Sequence, residues 1–268
     1  RANTIISAVL VIAPLLAPIM GAFISTHFAW KANFIFLLIF ALAVWLIQWF
    51  YFTETHPLYR RQRHDPWFFI SSFRFCFSHR LFLLYATSLA LSFGCVAVFE
   101  ASANNLFIRL LHYSPASIGV VFVVPLIPYI FGTIAAKHLQ KLLTFKDILI
   151  VSLAFIGLGS FGLTVPALEH FTNSYSILLP VMFTLFGTGI LFPTAVTGAM
   201  NPMGHIAGTA GAVLGGLQNM GAALMTLGFA HLQQTSGRPL AFVFDLATLS
   251  IAVLVFFIIK LETQGQTP

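Results

Sequence analysis

Only 7% of the 268 residues carry a formal charge and 59% are hydrophobic, which excludes an ordinary soluble domain, about 45–50% apolar with about 25% charge. The net charge of +6 does not indicate nucleic acid either, because the basic residues fall in the gaps between apolar stretches and mark topology instead. A helix needs about 20 apolar residues to cross roughly 30 Å of hydrocarbon. Eight stretches meet that length: Thr4–Thr26, Asn33–Thr53, Leu81–Ala103, Ile118–His138, Ile148–Leu168, Tyr175–Met200, Thr209–Leu232 and Pro239–Lys260. The fold class is therefore all-α and integral to a membrane.

In chain order, the first span holds APLLAPIMGA, with Pro14, Pro18 and Gly21 inside a membrane helix. Prolines there free carbonyls and bend the helix, so neighbours or a cavity must take up the loss. After the second span comes the one long gap, Glu54 to Arg80. It breaks helix at Pro57, carries Arg60, Arg61 and Arg63, and then mixes Trp67, Phe68, Phe69, Phe73, Phe75 and Phe77 with Arg74 and Arg80. Its second part predicts an amphipathic helix at the headgroups, rings in the interface and cations near anionic lipid; the alternative is a disordered linker. The expected organisation is residues 1–53 as two helices of one bundle, 54–80 as a basic and aromatic loop, and 81–268 as a six-helix bundle with a short tail.

Glu100 stands out in the third span. A charge at the centre of a membrane helix costs about 2.5–3.5 kcal/mol on insertion scales, so it is expected to face a cavity, a partner or water. Ala101, Ser102, Ala103, Asn104 and Asn105 follow it, which predicts a loosened, hydrated helix end. Glu100 is thus a candidate for proton or cation coupling, with Asn104 a candidate cavity residue; pairing of Glu100 with Arg109 is the structural alternative. The sixth span contains FGTGILFPTAV, with Gly187, Gly189 and Pro193 as expected helix-packing residues. The seventh is rich in glycine, and Gly211 and Gly215 have the small-xxx-small spacing of a packing face. Gln218 and Asn219 near its middle need partners, either a neighbouring helix or a substrate cavity.

Asp245 lies about six residues into the last span, roughly 9 Å from its outer end at 1.5 Å per residue. It is a second coupling candidate, or else a snorkelling acid beside Arg238. His112 and His231 are expected at interfaces, and Cys76 and Cys95 as free thiols, since neither is placed for a secreted disulfide framework. No metal-ligand spacing, nucleotide loop or nucleophile–base set emerges, which argues against an enzyme. If the long gap is cytoplasmic, Arg1, Arg60, Arg61, Arg63, Arg74, Arg80, Lys137, Lys141, Lys146 and Lys260 lie inside, against Lys31, Arg109 and Arg238 outside. That bias puts both chain ends in the cytoplasm.

Several of these segments resemble the major facilitator superfamily in order and spacing. Ala17, Pro18, Gly21 and Ala22 occupy the places of the Gly-Pro-x-x-Gly-Gly core of the antiporter motif, with alanine for its first and last glycine. Trp30 lies in the turn before the second span, and Glu54–Thr55 followed by Arg60–Arg61 resembles the family's close of that helix. FGTGILFPTAV is similar to its tenth helix and HIAGTAGAVLGGLQN to the opening of its eleventh. A weaker echo runs from Gly132 through Lys137 to Lys141. The nearest likeness is the bicyclomycin/chloramphenicol resistance (Bcr/CflA) subfamily. The resemblance implies a partial facilitator fold of eight transmembrane helices out of an expected twelve, beginning just before the fifth. It further implies a proton-driven efflux antiporter of small amphipathic, drug-like compounds in a bacterial inner membrane, monomeric when full length, with no cofactor beyond the proton gradient. The alternative is a facilitator-fold importer or exchanger of a small metabolite.

Overall fold

A computed structural model describes residues 17, 20–21, 23–51, 66–114, 117–169, 173–232 and 236–264. These fall in two compact units that divide between Phe68 and Phe69.

In the first unit, residues 23–28 are helical and the chain turns at Ala29, whose φ of 69° is in the left-handed region. The turn is closed by Ala32 N–H on Ala29 O (3.1 Å) and by the Asn33 side-chain amide on Ser25 Oγ (2.6 Å). Helix α1, Lys31–Tyr51, follows. Apolar on every side and with no buried residue, it has no soluble solution, since an all-round apolar helix is either a core helix or a membrane span.

The division into units falls inside α2, Pro66–Ser78, so the aromatic part of the long gap is helix and not disordered linker. Its small residues Ser72 and Cys76 are buried, whereas Trp67, Phe69, Ile70, Phe73, Phe75 and Phe77 are exposed. His79 breaks the helix with extended backbone, and its ring accepts from Phe82 N–H to cap the next one.

Six membrane-length helices make up the rest: α3, Arg80–Ala103, with a π-helical continuation Asn104–Leu110; α4, Ile118–Leu139; α5, Phe145–Leu168; α6, Ser174–Met200; α7, Ala207–Ala230; and α8, Arg238–Gln264. Capping boxes start α5 (Thr144 with Asp147) and α6 (Asn173 with Ser176), each satisfying two orphan N–H groups reciprocally. A 3-10 turn, Asn201–Ile206, joins α6 to α7 without a loop. Seven of the eight expected spans are therefore helices, with ends moved by a few residues; α8, for example, runs to Gln264 rather than Lys260. The expected Thr4–Thr26 span lies mostly outside the described residues. Among the described residues there is no strand.

Helix α3 is the centre of this second unit, packed against α6, α7 and α8, while α6 also packs on α4 and α5. Phe82, Tyr85, Leu89, Val98, Phe99 and Phe107 along α3 are fully or nearly fully buried. Large apolar side chains such as Phe161, Leu224, Phe242 and Phe256 point outward, as lipid-facing positions do. Because lipid is as apolar as leucine, close backbone approach must supply much of the packing. It does so where α4 crosses α6: a Cβ on Gly132 would lie 2.2 Å from Phe186 O, and one on Gly189 would lie 2.2 Å from Tyr129 O.

Candidate functional site at the C-terminal end of helix α3

Along α3 the hydroxyls of Ser88, Ser92 and Ser102 are bonded back to carbonyls of their own helix, so they add no cross-helix polarity. At Asn104 the helix widens to π geometry: Leu111 N–H reaches back five residues to Leu106 O at 3.1 Å. The segment closes at His112, with φ of 56°, and Tyr113 N–H bonds Phe107 O at 2.8 Å. The Tyr113 ring meets buried Phe107 edge to face at 5.6 Å, and its hydroxyl bonds Ser174 Oγ at the start of α6 (2.6 Å). The widened turn is thus anchored on both sides. Such π segments concentrate at functional sites because they re-aim side chains that an α-helix would stack.

Ala101, Asn104, Asn105, Ile108 and Arg109 of this segment, with Ala230 and Leu232 at the end of α7, line a hollow of about 570 Å³. Glu100 lies one turn before Asn104, exposed, and its carboxylate has no hydrogen-bond or ion-pair partner among the described residues. Arg109 likewise makes no ion pair with it, so the Glu100–Arg109 alternative is not realised. The C-terminal end of α3 therefore presents an acid with no partner among the described residues, an amide and a guanidinium along one short stretch.

Asp245 is held quite differently. On α8 it accepts hydrogen bonds from Ser160 Oγ and from Thr164 Oγ1 (2.6 Å), one turn apart on α5. Thr164 Oγ1 also lies 3.1 Å from Ser160 O. The expected neighbour Arg238 instead donates to the last carbonyls of α5, Ala167 O (3.1 Å) and Leu168 O (3.5 Å). Asp245 is thus a polar clasp between two helices, and the snorkelling alternative is replaced by this pairing. Ser160 and Thr164 were not singled out in the sequence. Their i, i+4 spacing was visible there, but nothing local links them to an acid more than 80 positions away. The same holds for fully buried Tyr85, whose hydroxyl donates to Glu262 on α8 at 2.6 Å.

The remaining candidates divide. Gly187 is in tight contact, its missing Cβ lying 2.7 Å from Ser152 O, and Gly189 meets Tyr129 O as above. Pro193 sits inside α6, and Thr197 Oγ1 donates to its carbonyl at 2.8 Å. No described atom lies within 4 Å of a Cβ added at Gly211 or Gly215, so the partner of their expected packing face is not among the described residues. Asn219 donates to Gly215 O of its own helix (2.8 Å), and half-buried Gln218 has no hydrogen bond to a described residue. Among the described residues, these two amides and the glycine stripe form an uncovered face. Of the antiporter-motif positions, Ala17 and Gly21 are helical, and a Cβ on Gly21 would be 3.9 Å from Asn33 Oδ1. Pro14, Pro18 and Ala22 lie outside the described residues.

Seven described helices of membrane length, tight glycine crossings and polar groups buried between apolar helices define a multi-pass membrane protein. The sequence matches the Major Facilitator Superfamily over residues 1–226, and the chain belongs to that family. It is similar to Multidrug resistance protein D of Escherichia coli (strain K12), 29% identical over 267 residues, covering 99% of this chain and 66% of the relative. The Bicyclomycin resistance protein homolog of Haemophilus influenzae is 22% identical over 263 residues (97% and 66%), and an Uncharacterized transporter of Rickettsia bellii is 23% identical over 263 residues (95% and 65%). The chain spans just under two thirds of the length of these relatives. Both named resistance proteins accord with the Bcr/CflA likeness read from the motifs.

Proposed function

We propose that the chain belongs to a proton-driven efflux antiporter that exports small amphipathic compounds by alternating access and performs no covalent chemistry. The observation that carries the reading is Glu100, a carboxylate with no partner among the described residues at the π-widened end of a membrane helix, within a facilitator-family chain similar to two resistance proteins. A carboxylate in such surroundings is stable only against water or a cation, or when it carries a proton. Exchange of that proton for a cationic compound is the elementary step of an antiporter, and rocking of two bundles about a central site exposes it to each side in turn. The open glycine face of α7, with Gln218 and Asn219, is the proposed cavity wall.

The membrane is a bacterial inner membrane with both chain ends in the cytoplasm. Arg74, Arg80, Lys137, Lys141, Lys146 and Lys260 sit at one end of the α3–α8 helices and Arg109 and Arg238 at the other, which supports the first end being inside. The test is Glu100→Gln, which keeps shape and hydrogen bonding and removes the charge. Export of cationic compounds from cells should fall and its pH dependence flatten, with neutral compounds affected less. An unchanged pH profile together with unchanged cation export overturns the assignment.

A further inference from the structure

A second feature of the surface is independent of the transport reading. Where α3 begins and α8 ends, the two helices leave a groove of about 530 Å³ lined by Arg80, Leu83, Leu84, Thr87, Phe257, Lys260 and Leu261. Its volume is that of a ligand-sized pocket. The pairing of Tyr85 with Glu262 fixes the two helices against each other beside it. Arg80 and Lys260 stand at its mouth, both exposed, and neither has a hydrogen-bond or ion-pair partner among the described residues. The nearby acid, Glu262, is committed to Tyr85.

From that mouth the walls become apolar in the direction of the hydrocarbon, with Leu83 and Leu84 on α3 and Phe257 on α8, while Leu261 lines the groove beside Lys260. Thr87, seven residues beyond Arg80 and thus about 10 Å deeper, lies below the leucines and is the deepest α3 residue lining the groove.

We propose that this groove binds one anionic phospholipid, its phosphate between Arg80 and Lys260 and an acyl chain along Leu83, Leu84 and Phe257. Basic pockets between transmembrane helices favour acidic headgroups. A free phosphate would use the two cations and leave the apolar walls empty. A peptide segment entering the groove would have to satisfy its backbone polar groups in hydrocarbon, a demand that an acyl chain does not make.

Native mass spectrometry of the purified protein tests the proposal, with dioleoyl phosphatidylglycerol, dioleoyl phosphatidylcholine and inorganic phosphate as probes. Phosphatidylglycerol should be retained at least tenfold better than phosphatidylcholine. The Arg80→Gln/Lys260→Gln double variant should lose roughly 30-fold in its retention, from two cations near the surface. The Arg109→Gln/Arg238→Gln pair at the other end, a control of equal charge change, should retain it. Equal retention by the Arg80/Lys260 variant overturns the site, as does equal binding of phosphatidylcholine. Displacement of the lipid by millimolar phosphate overturns the lipid assignment in favour of a phosphate site.

Discussion

The crossing of α4 and α6 makes a quantitative prediction. In Gly189→Ala the new Cβ begins 2.2 Å from Tyr129 O, 3.0 Å from its carbonyl carbon and 3.1 Å from Thr133 N. Ordinary contact starts near 3.4 Å, so one helix must recede by about 1 Å, and the obstacle is backbone that no rotamer change can remove. Forced overpacking of this kind costs about 1–3 kcal/mol, partly offset by up to about 1 kcal/mol of helix propensity gained on replacing glycine. The same movement opens the reciprocal close approach of Gly132 to Phe186 O and forfeits its contact, which places the net loss near 2 kcal/mol. For a chain of this size that is a fall of about 4–8 °C in Tm. The protein carries its own reporters: Cys76 and Cys95 are free and buried, and burial pushes the Cys76 thiol above its ordinary pKa, so reactive thiolate is scarce until the helices part. A thiol-reactive dye followed during heating in detergent reads the opening. Gly211→Ala is the control, since its Cβ meets no described atom, and its Tm should hold or rise slightly. If Gly189→Ala melts with the parent protein, or Gly211→Ala falls as far, the close-approach argument is wrong.

Removing both donors to half-buried Asp245 with Ser160→Ala and Thr164→Val should lower stability by about 1 kcal/mol, the low end of the cost of an unsatisfied acceptor. Adding Asp245→Leu should recover much of that loss in the same melting assay, and strict additivity would show that the clasp carries no coupling. Tyr85→Phe should cost about 1 kcal/mol through the lost bond to Glu262, and a melting curve identical to the parent's would show that bond to be idle. Topology is checked in a variant with both native cysteines replaced by alanine. A cysteine at Lys141 should react with an impermeant thiol reagent only after cells are opened, one at Arg238 should react in intact cells, and labelling of both from the same side would contradict the orientation.

The membrane class, seven of the spans and the α2 helix were legible in the sequence, because each follows from local quantities: an apolar run of bilayer length, its charged ends, a ring-rich stretch bounded by Pro66 and His79. The change of helix geometry after Glu100 falls where small and polar residues cluster in the sequence. The partners were not legible. Asp245 neighbours Arg238 in sequence but meets Ser160 and Thr164 in space, because a helix turns its side chains by 100° per residue and only packing decides which helix each face meets. Glycine spacing was equally mute. Gly211 and Gly215 have the motif yet meet no described atom, whereas Gly132 and Gly189, far apart in the chain, bring two backbones together. A span is fixed by its own transfer free energy from water to lipid, but between helices in lipid no such transfer remains. Shape and hydrogen bonding then choose the neighbours, and those exist only once the helices have met.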